Sequence, residues 1–287
     1  MSEKIIDVNT SNQFIEDYRK YGLYILYRRV MADVRDGLKP VQRRILWTML
    51  HDEKAYGSMS NKVKCAAVVG TTIKKYHPHG DTAVYDTMKP MINSFECNYP
   101  LIDGVGNFGT FQGDPAAAYR YTEAKLSEFA MDCVLGDLLK CKGCVNWVET
   151  FDGSDLEPEY LPVKVPLLLI NGSFGIGIGD KAEIQSHNLG EVIDATLAVM
   201  DNPDADITLV PDHCMPCEII DTNFNEITRK GFGHYYIRGI IDIENYNSSK
   251  YKNRTALVIK SIHNLLFFET ISNAIEKLVD SKKIVQI

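Results

Sequence analysis

Residues 113–123 read GDPAAAYRYTE, which sets an arginine beside a tyrosine, Arg120-Tyr121, behind a Gly-Asp-Pro turn and three alanines. Gly113 and Pro115 punctuate the chain, and Thr122 and Glu123 open an amphipathic run, KLSEFAMDCVLGDLL. The pattern predicts a helix with Tyr121 at its foot, on a loop that can be aimed. A tyrosine hydroxyl is a poor nucleophile at its ordinary pKa of about 10. A neighbouring cation can help deprotonate it and can hold an anionic phosphorus centre during attack. Taken alone, the same residues also read as a surface Arg–Tyr pair at a helix start, which is the commoner case.

The surrounding chain has the composition of a soluble globular protein, long enough for one large or two ordinary domains. Its longest apolar stretch, Val165 to Ile170, is interrupted by Pro166 and cannot cross a membrane. Seven cysteines with no secretory signal suit reduced thiols in a cytosol. The formal net charge is −7, which at first disfavours a nucleic-acid partner. Its distribution reverses that. Arg28 to Gly80 holds eleven Lys/Arg and four acids, a local +7 against −14 elsewhere. Such a block is either a phosphate-binding surface or a salt-bridged face.

Residues 12–31 read as a helix ending in Arg28-Arg29. Asp33 to Gly37 is a turn, and Pro40 suits the first turn of a helix carrying Arg43 and Arg44. A second helix spans about Lys62 to Tyr76. Its small Ala66, Ala67 and Gly70 admit either a packed helix or a DNA groove. A third runs from Thr82 to about Phe95. Two short helices joined by a loop, with basic ends, suit a helix-turn-helix. His77-Pro-His79 lacks the helical spacing of paired metal ligands, and beside Lys74 and Lys75 it fits phosphate contacts. Gly104 to Gly109 matches G-x-G-x-x-G but opens no helix, so it reads as a glycine-rich wing or loop rather than a dinucleotide site. No G-x-x-x-x-G-K-[ST] string marks an ATP site. The Cys141/Cys144 and Cys214/Cys217 pairs lie too far apart for a zinc ribbon. After Asp152-Gly153 the pattern shifts to short β runs and acids. YLPVKVPLLLI and YYIRGIIDI read as strands, NLGEVIDATLAVMDN as a helix, and Phe268 to Val279 as a last helix.

The strings DVRDGLKPVQRR (33–44), KYHPHGDTAVYDT (75–87), DGVGNFGTFQGD (103–114), AAYRYTE (117–123) and LLLINGSFGIGIG (167–179) occur in one order and spacing. Together they resemble the DNA-cleaving A-type chain of type IIA topoisomerases, the gyrase and topoisomerase IV type, most strongly over residues 28–180. The resemblance implies an α+β chain in three parts. A helical arm covers residues 1–27, a winged-helix DNA-cleavage domain 28–152, and a tower domain 153–287 that is incomplete at its C-terminus. It implies that Tyr121 attacks DNA to form a 5′-phosphotyrosyl link, with Arg120 stabilising the transition state, and that Tyr119 does not. Arg29, Lys39, Arg43, Arg44, Lys74, His77 and His79 match DNA-contacting positions. Ile176 matches an isoleucine wedged between bases, and Thr82 and Asp86 match drug-contact positions. The implied partners are double-stranded DNA, a second copy of the chain and a gyrase B-type subunit. Mg2+ and ATP are implied on that partner, with no metal site on this chain. The implied setting is the cytoplasm of a bacterium, or of a host cell for a phage-encoded protein. Gln42, Asp180-Lys181 and Phe232 depart from the family's common strings. A non-catalytic winged-helix DNA-binding protein is the other reading.

Overall fold

The computed structural model describes residues 9–220, 223–247, 254–262 and 268–283. The first eight residues of the expected arm lie outside them. Helix α1 (Thr10–Ile25) starts where the Asn9 side chain accepts from the Ser11 and Asn12 N–H groups, an N-cap of the preferred type. It widens into one turn, Leu26–Val30, and the chain extends at Met31. Only Ile25 of α1 is buried.

Three helices then build the core. In α2 (Pro40–Trp47), Pro40 occupies the first turn, where its missing N–H costs nothing. Gln42 accepts from the Lys39 N–H at 2.9 Å, so this departure from the family string closes the helix start. Helix α3 (Cys65–Lys75) buries Cys65, Val68, Val69 and Thr72 on one face. Ala67, Gly70 and Lys74 lie on the opposite, exposed face, and nothing stands within 4 Å of a Cβ built on Gly70. The small residues therefore do not meet a packed helix among the described residues. Helix α4 (Asp81–Ile92) contributes Val84, Met88 and Met91 to a core shared with Ile45, Leu46 and Met49. Each such side chain contributes roughly 1.5–3 kcal/mol by leaving water.

A three-stranded antiparallel sheet, β1 (Val63–Lys64), β3 (Glu123–Leu126) and β2 (Ile102–Val105) in that order, closes the other side. It changes the reading of the tyrosine loop. Tyr121 precedes a strand, and helical turns begin only at Glu128, capped by Ser127. Ala124 and Leu126 alternate inward between two neighbouring strands, so a period of two interrupts the apparent amphipathic helix. Lys125 is also buried, with its ammonium 3.1 Å from Asp103 and bonded to the Gly57 carbonyl.

Beyond the core, β4 (Trp147–Glu149) pairs with β5 (Leu156–Pro158). The expected strand over YLPVKVPLLLI is instead an irregular stretch ending in one helical turn, Leu167–Asn171. Prolines 162 and 166 cannot donate to a ladder, and Leu169 and Ile170 turn back onto the Pro166 carbonyl. Strands β6 (Ser173–Gly177) and β7 (Asp180–Ile184) follow as a hairpin. The rest alternates short pairs and helices: Leu189–Asp201 is helical, Glu218–Ile220 pairs with Tyr236–Arg238, Ile241–Tyr246 with Arg254–Ile259, and Phe268–Asp280 is the last helix. No described helix is long and apolar enough to cross a membrane.

Candidate functional site

The glycine string and the tyrosine loop hold each other. Gly104 sits where a Cβ would fall 2.4 Å from Phe108 and 2.6 Å from Ile92. Gly106, at φ +115°, passes Thr122 closely. Asn107 accepts the Ala117 N–H at 2.9 Å, and the Tyr85 hydroxyl bonds both the Ala117 carbonyl and the buried Thr122 hydroxyl. The loop is thus anchored on either side of Tyr119, Arg120 and Tyr121.

The two tyrosines are then treated oppositely. Tyr119 packs edge-on against Tyr85 and donates its hydroxyl to Asp81 at 2.7 Å. The Asp81 carboxylate accepts that proton in a hydrogen bond and repels a phenolate, so the Tyr119 pKa is raised. Tyr121 is 66% exposed and carries the Arg120 guanidinium 4.8 Å from its ring centre. The hydrogen bond from Arg120 and its charge lower the Tyr121 pKa. One tyrosine is held protonated, and the other is presented to solvent with its oxyanion favoured. Asp81 also ties the loop to the start of α4, where Thr82 and Asp86 are exposed one turn apart.

An open groove of about 1240 Å³ runs from α1 and α2 past the His77-Pro-His79 turn to the β6–β7 hairpin. The cations along it differ sharply in availability. Arg28 and Arg29 on its lining are exposed, as is Lys74 of α3 outside it, and none of the three has an acidic partner among the described residues. Lys39 is half-buried and donates to the Phe174 carbonyl at 2.5 Å. Burial lowers its pKa. Arg44 is clamped by Glu157 through bonds of 2.6 and 2.8 Å, and its other nitrogen donates to His77 Nδ1 at 3.0 Å. His77 therefore keeps its proton on Nε2. Burial, His79 and the surrounding arginines push its pKa down to about 4, so it is neutral near neutral pH. His79 stacks on it at 4.2 Å between ring centres, and among the described residues no group bonds the His79 Nδ1 atom. Arg43, 8% exposed, turns inward onto the fully buried Asp36 at 2.5 and 2.9 Å. Asp36 also accepts the Leu38 and Leu161 N–H groups.

The hairpin presents Ile176 outward, 69% exposed. Gly175 and Gly177 on its inner face press on Val30, where added Cβ atoms would fall 2.3 Å from the Val30 carbonyl oxygen and 2.5 Å from its Cγ2. Strand alternation then forces Ile176 to the other side.

Among the described residues no three His, Cys, Asp or Glu side chains gather as metal ligands. Near Tyr121, Glu123 pairs with Lys64, Asp114 accepts from Thr110, and Asp81 accepts from Tyr119. Each of these carboxylates is held by a partner of its own, and they do not gather as a magnesium site.

Residues 29–287 match the family model for the A-type chain of DNA gyrase and topoisomerase IV. The chain belongs to that family. It is 41% identical to the DNA gyrase A protein of Pseudomonas aeruginosa over 99% of its own length and 31% of that protein. It is 41% identical to the DNA gyrase A protein of Buchnera aphidicola, over 99% of this chain and 34% of that protein. A probable chloroplastic/mitochondrial DNA gyrase A protein of rice is 38% identical, over 98% of this chain and 30% of that protein. The chain thus spans about a third of the length of these relatives of the gyrase A family.

Proposed function

We propose that the chain is the DNA-binding and cleavage–religation core of a type IIA topoisomerase, with Tyr121 as nucleophile. The carrying observation is the pairing of an exposed Tyr121 with Arg120, two residues from a tyrosine whose hydroxyl is committed to Asp81. In the step proposed, the Tyr121 phenolate attacks a backbone phosphorus. A phosphorus–oxygen bond to Tyr121 forms, and the bond to the 3′ oxygen breaks. That oxygen leaves with the electron pair and takes up a proton, and the phenol proton has gone to solvent. Arg120 offsets the negative charge that grows on the phosphoryl oxygens. One phosphoester replaces another of similar energy, so the freed 3′ hydroxyl can reverse the step.

Residues 28–152 are read as the winged-helix cleavage domain, 153–287 as tower, and 1–27 as a helical arm. The open small-residue face of α3, bearing Lys74, suits a DNA groove. Arg29 and Lys74 are read as direct phosphate contacts, with Lys39, Arg44, His77 and His79 shaping the same wall. Arg43 is read as scaffold beneath it. Ile176 is read as the wedge that unstacks a base step and bends the duplex. Thr82 and Asp86 stay as candidate drug contacts. A cut through both strands needs two copies of Tyr121, which a twofold dimer supplies. A gyrase B-type subunit is the proposed bearer of Mg2+ and of ATP hydrolysis, and a bacterial or phage-infected cytoplasm is the proposed setting.

The test is to incubate the chain with a B-type partner, magnesium and supercoiled plasmid, then add detergent and protease. Linear DNA with blocked 5′ ends is expected. Binding without any covalent linkage would favour a non-catalytic winged-helix protein instead.

On this reading three further outcomes are expected. First, because Arg120 lowers the Tyr121 pKa, removing it raises that pKa and leaves less phenolate at any given pH. Arg120→Ala should therefore move the alkaline rise of the cleavage rate to higher pH, as well as lowering the rate. A pH–rate profile on a suicide oligonucleotide checks this. Second, DNA affinity should fall with salt, and Arg29→Ala with Lys74→Ala should flatten the slope by about 2, one unit for each phosphate no longer neutralised. Arg43→Met should leave the slope unchanged. Third, Ile176→Ala should reduce bending more than binding, since alanine is too short to unstack a base step. Fluorescence transfer across an end-labelled duplex measures it, and equal bending would leave Ile176 without a wedge role.

A further inference from the structure

Seven cysteines are free in this chain, and they fall into two kinds. Burial raises the thiol pKa of Cys65, Cys97, Cys133, Cys214 and Cys217, with Cys97 pushed up to about 12 and Cys214 to about 11. Cys141 and Cys144 are both exposed. Cys141 precedes and Cys144 ends a single 3-10 turn, Lys142–Cys144, and the Cys144 N–H returns to the Cys141 carbonyl at 3.4 Å. That hydrogen bond closes the turn back onto Cys141, which is itself extended. The closure holds the two Cα atoms within about 7 Å, close to the separation a disulfide spans. The Cys144 Sγ donates to the Cys141 carbonyl at 2.9 Å, and the Cys141 Sγ lies over the turn, 3.7 Å from a Cβ built on Gly143. Lys140 and Lys142 offer an anionic thiol reagent a cationic approach.

We propose that Cys141 and Cys144 are a dithiol site that a small anionic disulfide, of the glutathione class, closes to a disulfide across this turn. One thiolate attacks a sulfur of the small disulfide, whose S–S bond breaks and whose other half leaves as a thiolate and is protonated. The second cysteine thiolate then attacks the protein-side sulfur of the mixed disulfide and expels the remaining half as a thiol. The protein loses two hydrogens and two electrons, and the small disulfide is reduced to two thiols.

The turn is wired to the core. Trp147 donates its indole N–H to the Lys142 carbonyl at 2.8 Å and meets Trp47 of α2 edge-on at 5.2 Å. These are the chain's two tryptophans, so indole emission reports on the turn.

The experiment titrates the native chain with oxidised glutathione and follows tryptophan emission, free thiols and peptide mass. Two thiols should disappear together, with a Cys141–Cys144 crosslinked peptide and a change in emission that dithiothreitol reverses. Cys144→Ser, whose exposed site leaves the fold intact by circular dichroism, should instead accumulate one glutathione adduct on Cys141. The proposal fails if the unmodified chain retains glutathione adducts, crosslinks a different pair first, or keeps both thiols free when added dithiols of ordinary potential have become oxidised.

Discussion

Tyr121→Phe should abolish covalent DNA cleavage, a loss on the order of a thousandfold or more as for other excised nucleophiles, while DNA affinity barely moves. A single hydroxyl leaves a wide basic wall intact, so binding and cleavage separate cleanly. Tyr119→Phe is the internal control. It deletes the hydroxyl that reaches Asp81, loosening the loop's attachment to α4, and should cleave within a few-fold of the unmodified chain. Gel-shift titration and detergent-trapped cleavage on one duplex, run side by side, measure both quantities. If Tyr119→Phe were the inactive variant, the exposed Tyr121 would be an ordinary surface residue.

Arg43→Ala should destabilise the fold by about 3–5 kcal/mol, the usual cost of leaving one member of a buried ion pair behind. The stranded group would be Asp36, 0% exposed, which also fastens the Leu38 and Leu161 backbone. Asp36→Asn should be comparably harmful, because its amide hydrogens would face the Arg43 donors. Replacing both by apolar residues of similar volume should recover part of the loss. Urea denaturation followed by circular dichroism measures these changes. A loss below about 1 kcal/mol together with a flattened salt dependence of binding would instead put Arg43 on the DNA.

That contrast shows what the amino-acid sequence could and could not disclose. Adjacent arginines 43 and 44 look alike as letters, and both counted toward a basic block. In the fold, Glu123, Asp155, Glu157 and Glu159, all from beyond that block, pair with Lys64, Lys75, Arg44 and Arg35. The local excess of charge is correspondingly smaller, and its exposed remainder includes Arg28, Arg29 and Lys74. Long-range ion pairs of this kind leave no mark on local spacing. The three core helices were legible because proline, glycine and apolar periodicity agree there. The strand after Tyr121 was not, because Ala124-Lys-Leu126 is too short to reveal a period of two and its lysine is buried by tertiary partners. The different treatment of Tyr119 and Tyr121 was legible only by resemblance. Its physical cause, Asp81 reaching across from α4, is a contact between residues 38 positions apart.

The most direct test traps the cleavage complex formed with a B-type partner and magnesium, digests its protein and DNA, and sequences the nucleotide-bearing peptide by mass spectrometry. The account predicts a 5′-linked nucleotide on Tyr121 alone, in the peptide containing Arg120-Tyr121-Thr122. A nucleotide on Tyr119 or any other residue, or DNA cleaved with no covalent protein attachment, would contradict it.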